Sequence, residues 1–192
     1  KNTEGITIPS EEDRIQMYPM DYEEFRWALG DTATVPLLKL FWDKKIPLGA
    51  AHRETQKNLR LYMLVGGMPQ AVNAYLDTNN LQAVDEAKRR IIRLYEEDFI
   101  KIDPTEKVSK LFLSIPSMLS RNTSRYVASS VIGDLDEAKE IELLKSLEDS
   151  KTVNFAYHAD DPNIGLPITA NYDKFKLYVG DTGLFVTLAF WD

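Results

Sequence analysis

Residue types able to perform chemistry are few in this sequence, and their spacing does not assemble a catalytic set. The acidic run Glu96–Asp98 stands among lysines and arginines, which is typical of a solvated helix face. His52 and His158 are far apart, and His158 near Asp160 and Asp161 is more typical of a surface loop than of a cation site. The sequence has no cysteine and no G-x-S-x-G motif. We therefore predict no catalytic residue, no metal site and no independent enzyme activity.

The stretch from Leu59 to Val72 is the most informative, because it predicts two helices joined at a corner formed by Gly66, Gly67 and Pro69. A glycine after a helix end adopts the left-handed conformation without steric cost. A proline near a helix start lacks an N–H that would have no partner within the helix. The spacing alone favours a structural corner, and a functional role requires support from the rest of the chain.

Two further segments give that support. Asp13–Gly30 contains the run Tyr18-Pro19-Met20-Asp21, and Lys176–Phe185 reads K-L-Y-V-G-D-T-G-L-F near the end of the chain. With the corner between them, these motifs resemble certain prokaryotic AAA-superfamily ATPases, which carry a C-terminal domain of unknown function behind a P-loop domain. The corresponding motifs of that family read YPMDFEEF, YLLVGGMPEAV and KLY..D.GLL. The resemblance covers about residues 13 to 187.

The resemblance implies that the corner belongs to a helical lid that closes over a nucleotide. Gly66, Gly67 and Pro69 would then face the nucleotide, and Arg60, about one and a half helical turns earlier, would sense a phosphate. Arg14, Arg26 and Arg53 remain alternatives for that role.

The sequence contains no G-x-x-x-x-G-K-[ST] loop to hold phosphates and magnesium. ATP and Mg are therefore expected for a full-length ATPase and no cofactor for this chain. The chain begins at Lys1 and ends in an apolar run at Phe190-Trp191-Asp192. We expect a fragment whose partners are an N-terminal ATPase core and a C-terminal region that resembles a nuclease-type fold.

Composition limits the remaining function classes. The chain has 192 residues, a net charge of −7 and ordinary fractions of apolar and charged residues. The negative charge opposes non-specific binding to nucleic acid, which depends on neutralising phosphates. No apolar run approaches the length of a membrane span and no signal peptide is visible, so we expect a cytoplasmic protein with no membrane partner.

The first half of the chain predicts helices that would position the corner. Asp21 and Glu24 resemble a capping box that starts a helix through Leu29. Residues 14–18 alternate as a strand that would pair with the ATPase sheet. Further helices are predicted over 35–44, 48–65, 69–77 and 81–102. The helix over 48–65 has Leu59, Tyr62 and Met63 on one face. The helix over 81–102 has an apolar face formed by Val84, Ala87, Ile91, Leu94, Tyr95 and Phe99, and its other faces carry Asp85, Lys88, Arg89, Glu96 and Glu97.

After Pro104 the pattern changes to that of a winged helix: helix, helix, strand, long turn, strand. A helix over 106–119 is expected to kink at Pro116, and residues 126–132 fit a short strand or a short helix. A second helix, Glu137–Asp149, should pack through Ile141, Leu144 and Leu147. Strands are expected over 151–157 and 175–179, with a turn-rich loop over 160–165. The predicted fold is mainly α with a small β hairpin: a lead-in over 1–20, a lid-like helical bundle over 21–103 and a winged-helix-like α+β module over 104–192.

A winged helix can contact DNA or protein. The helix Glu137–Asp149 carries five carboxylates against the two lysines Lys139 and Lys145, so phosphates would be repelled. The preceding segment offers only a small basic patch: Lys107, Lys110, Arg121 and Arg125. We favour a protein contact. The predicted function is the lid and winged-helix region of an AAA-like ATPase, coupling nucleotide state to a partner, with a DNA-binding regulator as the alternative.

Overall fold

Helices dominate the chain, and a single hairpin supplies the two strands seen in the described residues. The computed structural model describes residues 15–121, 123–161, 166 and 169–191. The elements are α1 Tyr22–Ala28, α2 Thr34–Asp43, a 3₁₀ turn Gly49–Ala51, α3 His52–Val65, α4 Pro69–Thr78, α5 Leu81–Ile102, α6 Lys107–Leu113, α7 Ile115–Ser120, α8 Ser129–Ile132, α9 Glu137–Asp149, β1 Val153–Ala159, β2 Ala170–Val179 and α10 Thr182–Ala189. The prediction of a mainly α fold with a small β hairpin is confirmed.

The start of α1 is fixed by the predicted capping box. The Glu24 N–H donates to Asp21 Oδ1 at 2.8 Å, and the Asp21 N–H donates to Glu24 Oε2 at 2.9 Å.

The prediction of a strand over residues 14–18 has a different outcome. Residues 1–14 of the lead-in lie outside the described part, and residues 15–18 form no strand. Ile15 is 86% exposed, because no neighbouring strand in the described structure pairs with this segment.

Helix α3 packs through a different face from the predicted one. Leu59 and Met63 are exposed, whereas Val65 is buried and Leu61 and Tyr62 pack around it. Tyr62 was placed on the inner side correctly, and its hydroxyl donates to the Met20 carbonyl at 2.9 Å. The inner face is therefore shifted because α3 lies against α1 and α10.

Helix α5 has the predicted bounds, and its apolar face is nearly the predicted one. Asn80 caps it by accepting from the Gln82 N–H at 2.8 Å. Two assignments are wrong: Leu94 is exposed, and Lys88, which was placed on a polar face, is only 2% exposed. Val84 and Ile92 lie four residues to either side of Lys88, so the helical period itself carries the lysine inward.

Two hydrophobic clusters meet along α5. The smaller contains Phe25, Val65 and Val84, together with Ala71 and Val72 of α4. The larger begins at Ile91 and Ile92 and continues through α6, α7, α9, the hairpin and α10. One cluster therefore gives way to the other within α5 and not at Pro104. Beside that proline, Asp103 Oδ2 accepts from the Lys107 N–H at the start of α6, at 2.7 Å. The division into domains at residues 103 and 104 stays a prediction.

Helices α6 to α9 lie between Pro104 and the hairpin. The expected kink falls at Ser114, where α6 ends and α7 begins, one residue before Ile115 and two before Pro116. Phe99 and Phe112 are fully buried with ring centroids 5.4 Å apart, and each such ring contributes about 2–3 kcal/mol through burial. Within the segment 126–132, the short helix α8 covers only Ser129–Ile132.

Helix α9 has the predicted bounds but a different inner face. Leu143 and Leu147 are buried and Leu144 is half-buried, whereas Ile141, predicted to be inside, is 56% exposed. The buried pair is spaced by four residues, so the packed stripe follows the i, i+4 row and leaves Ile141 at its border.

Strands β1 and β2 pair antiparallel from Val153↔Val179 to Tyr157↔Phe175, and pairing resumes at His158↔Asn171. Residues 172–174 are therefore extra on β2 and form a bulge. Of the predicted loop over 160–165, residues 162–165 lie outside the described part. That residues 104–192 form a winged-helix-like module stays a prediction.

The last helix, α10, returns to the first half of the chain and packs on α3 and α5. Among the described helices, none combines the length and the apolar character that crossing a membrane requires.

Candidate functional site

The predicted corner is present, and both of its glycines are buried. Gly66 caps the end of α3 with φ 83°, a left-handed conformation that favours glycine, and its N–H donates to the Tyr62 carbonyl at 2.7 Å. Gly67 follows, and its carbonyl accepts from the Met20 N–H at 2.8 Å. Pro69 opens α4 at the position where a missing N–H does no harm.

A carboxylate from the far end of the chain closes this corner. Asp181 Oδ2 accepts from the Gly67 N–H at 2.6 Å, and Asp181 Oδ1 accepts from the Leu184 N–H at 2.8 Å. Asp181 is thus the N-cap of α10 and at the same time an acceptor for the corner. Burial raises the pKa of Asp181, although the N–H groups of Gly67 and Leu184 act in the opposite direction.

The backbones approach each other so closely that only glycine fits. A Cβ on Gly66 would overlap the Asp181 carboxylate, and a Cβ on Gly67 would overlap the backbone of Met20. A Cβ on Gly183 would overlap the Val65 carbonyl and the Gly66 backbone. The corner and the start of α10 are therefore one interlocked unit, which we call the glycine interlock: Gly66, Gly67, Asp181 and Gly183.

Lys88 of α5 makes further hydrogen bonds to the two helices that meet at the glycine interlock. Its Nζ donates to the Leu64 carbonyl at 2.8 Å and to the Gly183 carbonyl at 3.2 Å, so it links the last turn of α3 to α10. Burial lowers the pKa of Lys88, while the carboxylates of Asp85 and Asp181 oppose that shift. The ammonium thus satisfies the Leu64 carbonyl, one of those that the end of α3 leaves without helical partners.

A second contact joins α5 to α10, one helical turn after Gly183 along α10. Asp85 Oδ1 accepts from the Thr187 hydroxyl at 2.7 Å, and Asp85 Oδ2 accepts from Arg89 Nε at 2.7 Å. The Arg89 guanidinium lies 4.8 Å from the centre of the Trp191 ring. Helix α10 is therefore attached to the first half of the chain at both of its ends.

A cavity of about 380 Å³ adjoins the glycine interlock. Its lining includes Tyr62 and Asp181, together with Glu148 near the end of α9 and Lys151 just after that helix. The cavity also contains Asp21, so three carboxylates face one ammonium group. This charge does not suit a polyphosphate, because like charges repel.

The four predicted site residues have different outcomes. Gly66 and Gly67 are brought together with Asp181, and the Gly67 N–H is already used by that carboxylate. Pro69 is exposed at the start of α4, and Arg60 is exposed on α3. Whether any of them faces a nucleotide stays a prediction.

Sequence reasoning did not identify Asp181, Gly183 and Lys88 as site residues. The signal for Asp181 was an N-cap residue three positions before Leu184, and the signal for Lys88 was its helical phase between Val84 and Ile91. Within the described residues, no group of histidines and carboxylates gathers in a way that would hold a metal ion. His158 instead pairs with Asp160 at 3.2 Å on the surface.

Comparison with known proteins gives one match. The family model of a domain of unknown function, DUF8612, matches residues 56–192, which include most of α3, the glycine interlock and α10. No curated protein and no solved structure matches the chain. Because the matched region covers well over half of the sequence, the chain belongs to the DUF8612 family.

Proposed function

We propose that this chain is the lid and winged-helix-like region of an AAA-like ATPase and that it couples nucleotide state to a partner without catalysis of its own. The observation that carries the proposal is the hydrogen bond between the Gly67 N–H and Asp181. It joins the corner that the resemblance assigns to the lid with the helix that follows the hairpin.

The glycine interlock supports a coupling role because it leaves the corner little freedom to move alone. Asp181 follows Val179, the last residue of β2, by two positions, and the Gly180 N–H donates to the Thr152 carbonyl at 2.8 Å just before β1. A rotation of α3 against α4 would therefore displace α10 and the hairpin with it. Small shifts at packed junctions of this kind are transmitted rather than absorbed.

Two exposed apolar surfaces support a large partner on the side of α1 and α2. No residue of α2 is buried, and Leu37, Leu40 and Trp42 are exposed together with Ile46. The segment before α1 exposes Ile15 and Met17. We assign these surfaces to the ATPase core that the resemblance implies, because apolar patches rimmed by polar residues are typical of interaction sites.

In this proposal ATP and Mg bind to the core, and the expected location is the cytoplasm, where ATP is supplied. The Gly67 N–H is occupied, so contact with a phosphate falls to the exposed start of α4 at Pro69 and to Arg60. The DNA-binding alternative has one supporting observation, the exposure of Lys110, Arg121 and Arg125 before the hairpin.

The test compares the chain alone with the chain joined to the ATPase core encoded in its own reading frame. Calorimetric titration of the chain alone with Mg-ATP should give no micromolar binding, because no phosphate cradle is present in the sequence. The longer protein should hydrolyse ATP, and Arg60→Ala should lower that rate, whereas Arg93→Ala, at an exposed position of α5, serves as the control. A reading frame without a P-loop, or micromolar ATP binding by the chain alone, would contradict the proposal.

A further inference from the structure

The surface between α9 and the hairpin forms a groove of about 320 Å³ that the glycine interlock does not use. Its walls are apolar and aromatic: Ile141, Leu144, Phe155, Tyr157, Tyr172 and Phe175. We call this the aromatic groove. Three charged residues also line it, the carboxylates of Glu148 and Asp173 and the ammonium of Lys145.

The bulge on β2 shapes the aromatic groove. Residues 172–174 have no partners on β1, and the Asp173 N–H donates to Oδ1 of Asn171, the residue before the bulge, at 3.1 Å. The bulge places the Tyr172 ring against Tyr157, with centroids 5.0 Å apart, although Tyr172 is 64% exposed. Bulges redirect side chains in this way, and an aromatic ring held in place while exposed is available to a ligand.

The rings form angled walls around the groove. The planes of Tyr172 and Phe175 are each inclined by 61° to the plane of Tyr157, at centroid distances of 5.0 and 6.1 Å. The faces of aromatic rings carry negative electrostatic potential, which attracts a cation.

The charged residues around the aromatic groove, like its rings, favour a cation. Glu148 and Asp173 outnumber Lys145 in the lining, and the whole of α9 has five carboxylates against two lysines. Burial raises the pKa of Tyr157, and the Glu148 carboxylate adds to the rise, so the field of this carboxylate reaches the ring. A purely apolar occupant would cover carboxylates without pairing them, which costs free energy.

We propose that the aromatic groove binds a basic side chain, arginine or lysine, presented by an otherwise apolar segment of a partner protein. The cation would lie over the Tyr157 and Tyr172 rings with Glu148 and Asp173 beside it, and apolar neighbours in the segment would cover Ile141 and Leu144. Arginine fits best, because its planar guanidinium both stacks on rings and pairs with carboxylates. The inference rests on the proposed function in one respect: the protein that presents the basic side chain would be the partner to which nucleotide state is coupled.

The experiment uses the whole chain and a displayed library of random 12-residue peptides. Selected peptides should be enriched in arginine or lysine beside leucine or an aromatic residue. Their affinity, measured by fluorescence anisotropy, should fall about tenfold in Tyr172→Ala and in Glu148→Gln. Tyr172→Leu keeps apolar area but removes the ring, so it should also weaken binding. Tyr178→Ala is the matched control, since Tyr178 is exposed on the same strand and does not line the groove.

Four results would overturn the inference. They are selection of acidic or uncharged peptides, failure to enrich any basic peptide, affinities that respond equally to Tyr172→Ala and Tyr178→Ala, and occupation of the groove by a second copy, seen as a concentration-dependent dimer that Tyr172→Ala dissolves. The experiment contains no nucleotide. Its failure would therefore remove the aromatic groove as a binding site and leave the coupling proposal, which depends on the glycine interlock, to its own test.

Discussion

The carboxylate of Asp181 accepts a hydrogen bond of 2.6 Å from the Gly67 N–H, although the two residues are 114 positions apart in the sequence. Asp181 simultaneously caps α10, so one side chain fixes both the start of the last helix and the corner between α3 and α4. Because the contact is buried, removing either partner leaves a polar group without solvent to replace it.

Replacing Asp181 by alanine should therefore lower the free energy of unfolding by about 3 kcal/mol, the sum of a lost helix cap and an unsatisfied buried N–H. Urea unfolding followed by circular dichroism measures the change. Asp134→Ala is the matched control, since Asp134 is exposed in the turn before α9. A loss no larger than that of the control would show that the Gly67 contact does not stabilise the fold.

A second prediction concerns Gly67 itself. Gly67→Ala should cost about 3 kcal/mol, because its Cβ would overlap the Met20 backbone, which cannot yield as a flexible side chain could. Gly49→Ala is the control: Gly49 has φ 56° but open space around it, so only conformational strain of about 1 kcal/mol is expected. Thermal unfolding of both variants at one pH gives the comparison, and equal losses would contradict the steric explanation.

Local signals in the sequence predicted most of the helices, but they predicted neither α10 nor the contacts between helices. The bounds of α5 followed from a capping residue and a helical period, and those of α9 from a preceding turn and a helical period, all of which act within a few residues. The Lys88 and Ile141 assignments failed because a lysine was taken as polar despite its helical phase, and because the period of α9 allows either of two neighbouring stripes. Which stripe is buried depends on α6 and β1, which pack against α9.

In the candidate site, too, local features could be predicted from the sequence and distant contacts could not. The Gly66-Gly67-x-Pro69 corner was predictable because its residues impose a backbone conformation on themselves. The partner of the corner was not, since nothing within the corner specifies an acceptor 114 residues away. The aromatic groove also depends on a bulge of residues 172–174, and an alternating strand pattern does not show where the register shifts.

A third prediction uses Tyr126, whose hydroxyl meets Ser114 Oγ at 2.7 Å in the larger cluster. Burial raises the pKa of Tyr126 to about 12, above the ordinary value of 10.0. The unfolded chain therefore releases this proton first, so the stabilisation is complete below pH 10 and is lost as the pH rises towards 12. Tyr126→Phe cannot ionise. The stability advantage of the wild type over this variant should shrink by about 2 kcal/mol across that range. Parallel stability curves in alkaline urea titrations would show that Tyr126 ionises equally easily in both states.

The last prediction is that α9 does not read DNA. Its buried residues are Leu143 and Leu147, and the remaining surface presents five carboxylates against Lys139 and Lys145. Each carboxylate near a phosphate adds repulsion and removes favourable counterion release, so binding to a random duplex should be weaker than the roughly 10⁻⁴ to 10⁻⁶ M usual for non-specific complexes.

Fluorescence-anisotropy titrations at low and moderate salt provide the measurement. A double variant, Glu142→Lys with Asp149→Lys, is the positive control and should gain salt-sensitive affinity. Both positions are exposed and neither lines the aromatic groove. If the wild-type chain instead binds DNA at micromolar concentration, and charge reversal of Lys139 and Lys145 abolishes that binding, α9 contacts DNA. The protein-contact assignment of this helix would then be wrong.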